Sequence, residues 1–188
     1  MAVSRNISEL VDRVGRIVHG MQFASGLNPA QWEALRFLGR ANSFSRSPGA
    51  LAEYLGSTKG TVSQTLIALE SKGYVARIRS ESDRRSVKLE LTDDGIDLIR
   101  QDPLAMIETA VEGLAPADRD VFARSMNSLI KSLQRDRGRA EFGTCGECVY
   151  NQSDGDFGEN CHCLFRDELL TFEDLSRICL DFQSSHQS

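Results

Sequence analysis

The first 144 residues contain no cysteine, and all five cysteines fall between Cys145 and Cys179. In a cytosolic protein, thiols clustered in this way favour metal binding or redox chemistry over structural disulfides. No apolar run approaches the roughly 18 residues that span a bilayer, so no membrane partner is expected. The opening Met-Ala-Val-Ser-Arg-Asn lacks the apolar core of a signal peptide, and a cytoplasmic location is expected. Also lacking are a Gly-rich phosphate loop, a Ser/His/Asp set and a distinctive pair of carboxylates, so an enzyme is not expected. Only the Cys145-Gly146-Glu147-Cys148 motif leaves a thiol oxidoreductase open, and the βαβ context of such enzymes is missing.

Excess positive charge is lacking too, since the net charge is −5. Its distribution is uneven, however. Residues 36–90 hold ten basic and five acidic residues, while residues 141–188 hold two basic and ten acidic. Charges further apart than about 8–10 Å are screened at physiological salt, so the local basic segment sets any attraction for phosphate.

Proline is scarce, and its four positions punctuate the chain. Ile7, Leu10, Val11, Val14, Ile17, Val18 and Met21 recur at helical spacing, which predicts a first helix over about 4–21. Asn28-Pro29 starts a second helix, carrying Trp32, Leu35 and Leu38 and ending near Gly39. Ser47-Pro48 starts a short third helix with Leu51, Ala52 and Leu55 inside, which stops at Gly56. Ser57 is the expected cap of a fourth helix, from Thr58 to about Lys72, with Val62, Leu66 and Leu69 on one face and Gly73 after its end. Tyr74 to Ile78 and Val87 to Leu91 alternate as strands, with a polar tip between them. Thr92 caps a further helix, which Pro103 should kink or divide. Ala115-Pro116 starts a last helix to about Arg139, striped by Val121, Phe122, Met126, Leu129, Ile130 and Leu133.

Two short helices around a Gly-containing turn, followed by a two-stranded arm, form the pattern of a winged helix-turn-helix over about 48–92. The capped start of the fourth helix offers free N–H groups to a phosphate. Its outward face carries Lys59, Gly60, Ser63, Gln64 and Ile67, and a glutamine can read adenine in the major groove. A solvated polar face has the same pattern, so the arm matters. Its tip carries Asp83-Arg84-Arg85, and its strands add Arg77, Arg79 and Lys88. A basic tip can enter a narrow minor groove. The DNA-contacting set is therefore Lys59, Gly60, Ser63, Gln64, Arg84, Arg85 and Lys88.

Ala50-Leu51-Ala52-Glu53-Tyr54-Leu55, Gly60-Thr61-Val62-Ser63-Gln64, Leu69-Glu70-Ser71-Lys72-Gly73-Tyr74-Val75 and the run from Asp83-Arg84-Arg85 to Thr92-Asp93-Asp94-Gly95 resemble the MarR family of regulators. The resemblance covers about Ile7 to Leu133. It implies a mainly α fold with a small β-hairpin wing, a winged helix-turn-helix joined to a helical dimerisation region. It also implies obligate homodimers formed by the first and last helices, and binding to pseudo-palindromic duplex DNA, usually as a repressor. The expected division is a MarR-like domain over 1–140, with dimerisation helices at about 4–21 and 93–139, and an acidic cysteine-rich tail over 141–188. Many such regulators release DNA on taking up a small aromatic effector, and His19, Trp32 and Phe37 are candidates to line that pocket. The family's peroxide sensors use a cysteine near the N-terminus, which is missing here. A winged helix that binds a protein partner is the competing reading.

The tail reads Cys145-x-x-Cys148, then Cys161-His162-Cys163, then Cys179. A CxxC turn lets two thiolates grip one metal ion. The tail resembles a cysteine-rich extension of some MarR-like proteins, which implies Cys145, Cys148, Cys163 and Cys179 as ligands, with Cys161 and His162 as alternates. Four thiolates suit zinc or an iron–sulfur cluster on ligand type. Free thiols, or a CxxC redox pair, remain open.

Overall fold

The computed structural model describes residues 2–79, 87–136, 141–153 and 161–184. The chain opens with α1 (Ala2–Met21), α2 (Pro29–Arg40), α3 (Pro48–Leu55) and α4 (Lys59–Ser71). Strands β1 (Val75–Arg79) and β2 (Val87–Leu91) pair antiparallel, with Val75 opposite Leu91 and Arg77 opposite Leu89. Then come α5 (Asp93–Ile99), α6 (Ala105–Glu112) and α7 (Pro116–Asp136). The helix expected after Thr92 is thus divided around Pro103, where a helical N–H is missing.

The core forms around α2. Asn28 caps it with a full capping box: its Oδ1 accepts from Gln31 N at 3.0 Å, and Gln31 Oε1 accepts from Asn28 N at 3.1 Å. The helix then buries Trp32, Ala34, Leu35, Phe37 and Leu38 against Leu51, Leu66, Leu69 and Leu89. Trp32 satisfies its indole N–H on Ala24 O at 3.3 Å. Arg36 ties the outer side of α2 to the α5–α6 link, donating from Nε and Nη2 to the two Asp102 oxygens at 2.6 and 2.8 Å. Its Nη1 reaches Gln22 Oε1 at 2.7 Å.

Helices α1, α6 and α7 contrast with this core. None of α6 and α7 is buried, and the apolar stripe of α1 lies open: Ile7, Leu10, Val14 and Ile17 are each about half exposed. No helix among the described residues is long and apolar enough to cross a membrane.

The tail is not a detached appendage. β3 (Gly143–Thr144) pairs antiparallel with β7 (Ile178–Cys179), and β4 (Asn151–Ser153), β5 (Cys161–Cys163) and β6 (Glu168–Leu170) form a meander. Ile178 joins the main core. Phe142 meets Tyr54 edge-on at 5.2 Å, and Tyr54 in turn packs on Phe37 at 4.8 Å. Gly143 is needed where the tail folds back, because a Cβ there would sit 2.5 Å from the Phe182 ring.

Candidate nucleic-acid interface and a cysteine cluster behind it

The turn between α3 and α4 is built by local chemistry. Ser47 Oγ accepts from Ala50 N at 3.2 Å and caps α3. Gly56 ends α3 in the left-handed region, φ 57°, where a Cβ would be strained. The cap of α4 is Thr58, one residue beyond the expected Ser57; its Oγ1 accepts from Thr61 N at 3.1 Å and pairs with Thr61 Oγ1 at 2.9 Å. Val62, Leu66 and Leu69 are buried as the periodicity predicts. Lys59, Gly60, Thr61, Gln64 and Ile67 are exposed, and Ser63 is half-buried beside them. Thr61 was absent from the sequence-derived set; its hydroxyl at the helix start was the signal available.

The arm's root is less basic than its composition suggests. Arg77 Nε pairs with Glu70 Oε2 at 2.9 Å, and Lys88 Nζ with Glu90 Oε1 at 3.0 Å. The first pair binds the arm to α4. Arg84 and Arg85 lie outside the described residues. At its base the arm is held by Thr92, whose Oγ1 donates to Gly73 O at 2.6 Å and accepts from Gly95 N at 3.1 Å. Leu89 N donates to Arg46 O at 2.7 Å, fastening β2 to the α2–α3 loop.

Of the residues suggested for an effector pocket, Trp32 and Phe37 are fully buried in the core, whereas His19 lies exposed on α1 against Phe23 at 5.5 Å.

The cysteines gather behind the α2–α3 loop. Cys145, Cys148, Cys163 and Cys179 line one cavity of about 10 Å³, together with Tyr150, Asn151, Phe165, Leu170 and Asp181. A 3-10 turn, Cys145–Glu147, brings the two CxxC thiols to the same wall, with Cys148 N donating to Cys145 O at 3.2 Å. Cys161 is buried in the same cluster but is not on the cavity wall. His162 is not on that wall either; its Nε2 lies 3.2 Å from Asp167 Oδ1. Asn42, fully buried, donates from Nδ2 to Cys145 Sγ at 3.3 Å. A hydrogen bond from the Cys145 thiol lowers the Cys179 pKa to about 6 against the opposing effect of burial, with Asn42 and the Asp181 N–H assisting; the same bond and burial push Cys145 up. Among the described residues, no three Cys, His, Asp or Glu side chains already stand in the geometry of a metal site.

Residues 25–86 match the sequence profile of the MarR family. Over that segment the chain resembles the MarR family. Among curated proteins it is similar to the HTH-type transcriptional repressor YetL of Bacillus subtilis (strain 168), 27% identical over 111 residues. That match spans 57% of this chain and 66% of YetL, just short of two thirds of the relative's length. Among solved structures it is similar to Streptococcus pneumoniae FabT in complex with DNA, at TM-score 0.56 and 24% identity, over 71% of this chain and 96% of that one. A MarR transcriptional regulator from Methanosarcina mazei Go1 gives TM-score 0.56 and 26% identity, with the same two coverages. The winged-helix fold expected from the sequence is shared with these structures.

Proposed function

We propose that this chain is a sequence-specific regulator of transcription that binds duplex DNA as a homodimer, most simply as a repressor like the relative it matches. The observation that carries the reading is the outer face of α4. A helix held by three buried apolar residues presents Lys59, Thr61, Ser63, Gln64 and a capped N-terminus to solvent, beside a two-stranded arm. Free N–H groups and the partial positive charge of that N-terminus suit a backbone phosphate. Lys59 adds a cation, and Gln64 has the paired donor and acceptor that match an adenine edge. In the sequence the arm's tip carries Arg84 and Arg85, the residue type that suits a narrow minor groove.

The second copy is supported by α1, α6 and α7. Their apolar side chains, among them Leu10, Val14, Met106, Phe122 and Leu133, are exposed in the single chain, and these helices make little contact with the rest of the fold. Exposed apolar stripes of this kind mark an interface. An isologous pairing would also place two α4 helices about a two-fold axis, as a pseudo-palindromic site requires.

The test is selection of duplexes from a random library, followed by titration of the recovered sequence at several salt concentrations. Gln64→Ala should lower the preference for the selected duplex over random DNA, at about 1–3 kcal/mol for a lost bidentate base contact. Lys59→Ala should weaken both and reduce the salt slope by about one. Equal affinity of the unaltered protein for selected and random DNA refutes the proposal.

A further inference from the structure

We infer that Cys145, Cys148, Cys163 and Cys179 bind a single thiophilic divalent ion, with zinc as the fitting case, and that this ion clamps the tail onto the loop that carries α3 and the arm. The first part stands on the cavity and its walls. Four cysteines from three separate chain segments line one pocket, and four is the ligand number of a closed structural zinc site. The space of about 10 Å³ has room for one atom-sized guest. The wall also holds a polar atom with an unmet requirement: Asn151 Oδ1 is buried with no hydrogen-bond partner. Two N–H groups, Asn42 Nδ2–H and the Asp181 amide, are aimed at Cys145 and Cys179. N–H donors of that kind orient and stabilise ligand thiolates. Buried thiolates without a cation are costly, so burial favours a site in which the metal supplies the charge. Binding replaces thiol protons by metal–sulfur bonds and releases those protons to solvent. The half-buried thiols Cys148 and Cys163 must turn inward onto the ion; Cys145 and Cys179 are already buried and in contact.

The second part stands on a chain of hydrogen bonds from the sulfur to the α2–α3 loop, whose backbone leads on to α3 and the arm. Asn42 donates to Cys145 Sγ, and its Oδ1 accepts from Ser45 N at 2.9 Å. Ser45 Oγ accepts from Leu180 N at 2.8 Å, and Asn42 N donates to Ile178 O at 2.9 Å. Arg177 Nη1 adds a bond to Gly39 O at 3.3 Å. The next residues along the loop are Arg46, whose carbonyl holds β2 at Leu89, and Ser47, which caps α3. An ion that fixes β3, β5 and β7 together thus fixes the loop from which both parts of the winged helix hang. The effect on DNA rests on the proposed function; the ion and the clamp do not.

Protein purified under reducing, anaerobic conditions is titrated with zinc alone against a chromophoric chelator. One equivalent per chain is expected, with loss in Cys163→Ser and Cys179→Ser and retention in Cys161→Ser and His162→Ala. Cobalt substitution should give sulfur-to-metal charge-transfer bands of a four-thiolate tetrahedral centre. Hydrogen exchange on the unaltered protein guards against misfolded variants: chelation should speed exchange at the amides of Asn42 and Leu180. Less than about half an equivalent, retention in Cys163→Ser, or a brown iron-containing sample overturns the ion assignment. Unchanged exchange on chelation overturns the clamp. Where sequence-selective DNA binding is present, chelation should weaken it at least about fivefold, in the usual range of coupling between sites; an unchanged affinity overturns the coupling alone.

Discussion

Gly95→Ala separates packing from helix propensity at the root of the arm. In an ordinary helix interior this change stabilises by about 1 kcal/mol. Here an added Cβ would lie 2.2 Å from Tyr74 O and 3.1 Å from Tyr74 C. Real contacts of that kind essentially never fall under 3.0 Å, so α5 and the Tyr74 carbonyl must part by about 0.8 Å, the difference of those two values. Neither side yields easily. Tyr74 N is bonded to Leu69 O at 3.0 Å, Tyr74 O accepts from Thr92 N at 3.2 Å, and Gly73 before it sits at φ 77°. Overpacking of this kind costs about 1–3 kcal/mol. Displacing α5 also weakens the Thr92 N–H bond and the Thr92 cap on Gly95 N, each worth about 1 kcal/mol. Against the gain of about 1 kcal/mol in propensity, the net expectation is a loss of about 2–4 kcal/mol. Urea unfolding at fixed protomer concentration measures it, since the proposed dimer would make stability depend on concentration. Gly60→Ala is the control: its Cβ would meet nothing nearer than Thr58 Oγ1 at 3.8 Å, so a change within about 0.5 kcal/mol is expected. A Gly95→Ala protein as stable as the unaltered one would refute the packing argument.

Leu10→Asp combined with Ile130→Asp places charges on the open stripes of α1 and α7. Sedimentation equilibrium should shift from dimer to monomer, since each buried apolar side chain contributes about 1.5–3 kcal/mol and a buried unpaired carboxylate reverses that; an unmoved mass argues against these helices as the interface. Thr58→Ala removes the α4 cap and should cost about 1 kcal/mol of stability in the same urea assay, with weaker DNA binding; Thr58→Ser should restore both. Asp102 predicts a pH dependence. Burial opposes its ionisation, but hydrogen bonds from Arg36 and the Leu104 N–H, and the Arg36 charge, outweigh burial and hold its pKa below the usual carboxylate range. A depressed folded pKa contributes stability that is present above the unfolded value, about 3.9, and is lost as pH falls through the folded one. Asp102→Asn should therefore lower stability at neutral pH and flatten the acid limb of a stability–pH curve; an acid limb as steep as before would count against this ion pair.

Much of the fold was legible in the chain because its signals are local. The Asn28-Pro29 and Ser47-Pro48 starts, the glycines at 56 and 73, and the 3.6-residue stripes act within a few residues of themselves, so α2, α3 and α4 and their buried faces could be read directly. The same holds for the outward face of α4. Pair interactions across the fold were not legible. Nothing in the composition of the arm told that Arg77 and Lys88 would be engaged by Glu70 and Glu90.

By itself the sequence determined that four or more thiols would share a small acidic segment and that a winged helix would precede it. Only the tertiary structure decided which thiols share a wall. Cys163 lines the cavity, Cys161 and His162 do not, and Asn42, 103 residues away along the chain, bonds to Cys145. The tail's attachment was equally hidden, because Ile178 and Leu180 find their partners in the α2–α3 loop. The physical reason is range. Caps and stripes are set by neighbours in sequence, whereas a cavity exists only once segments distant in sequence have packed together.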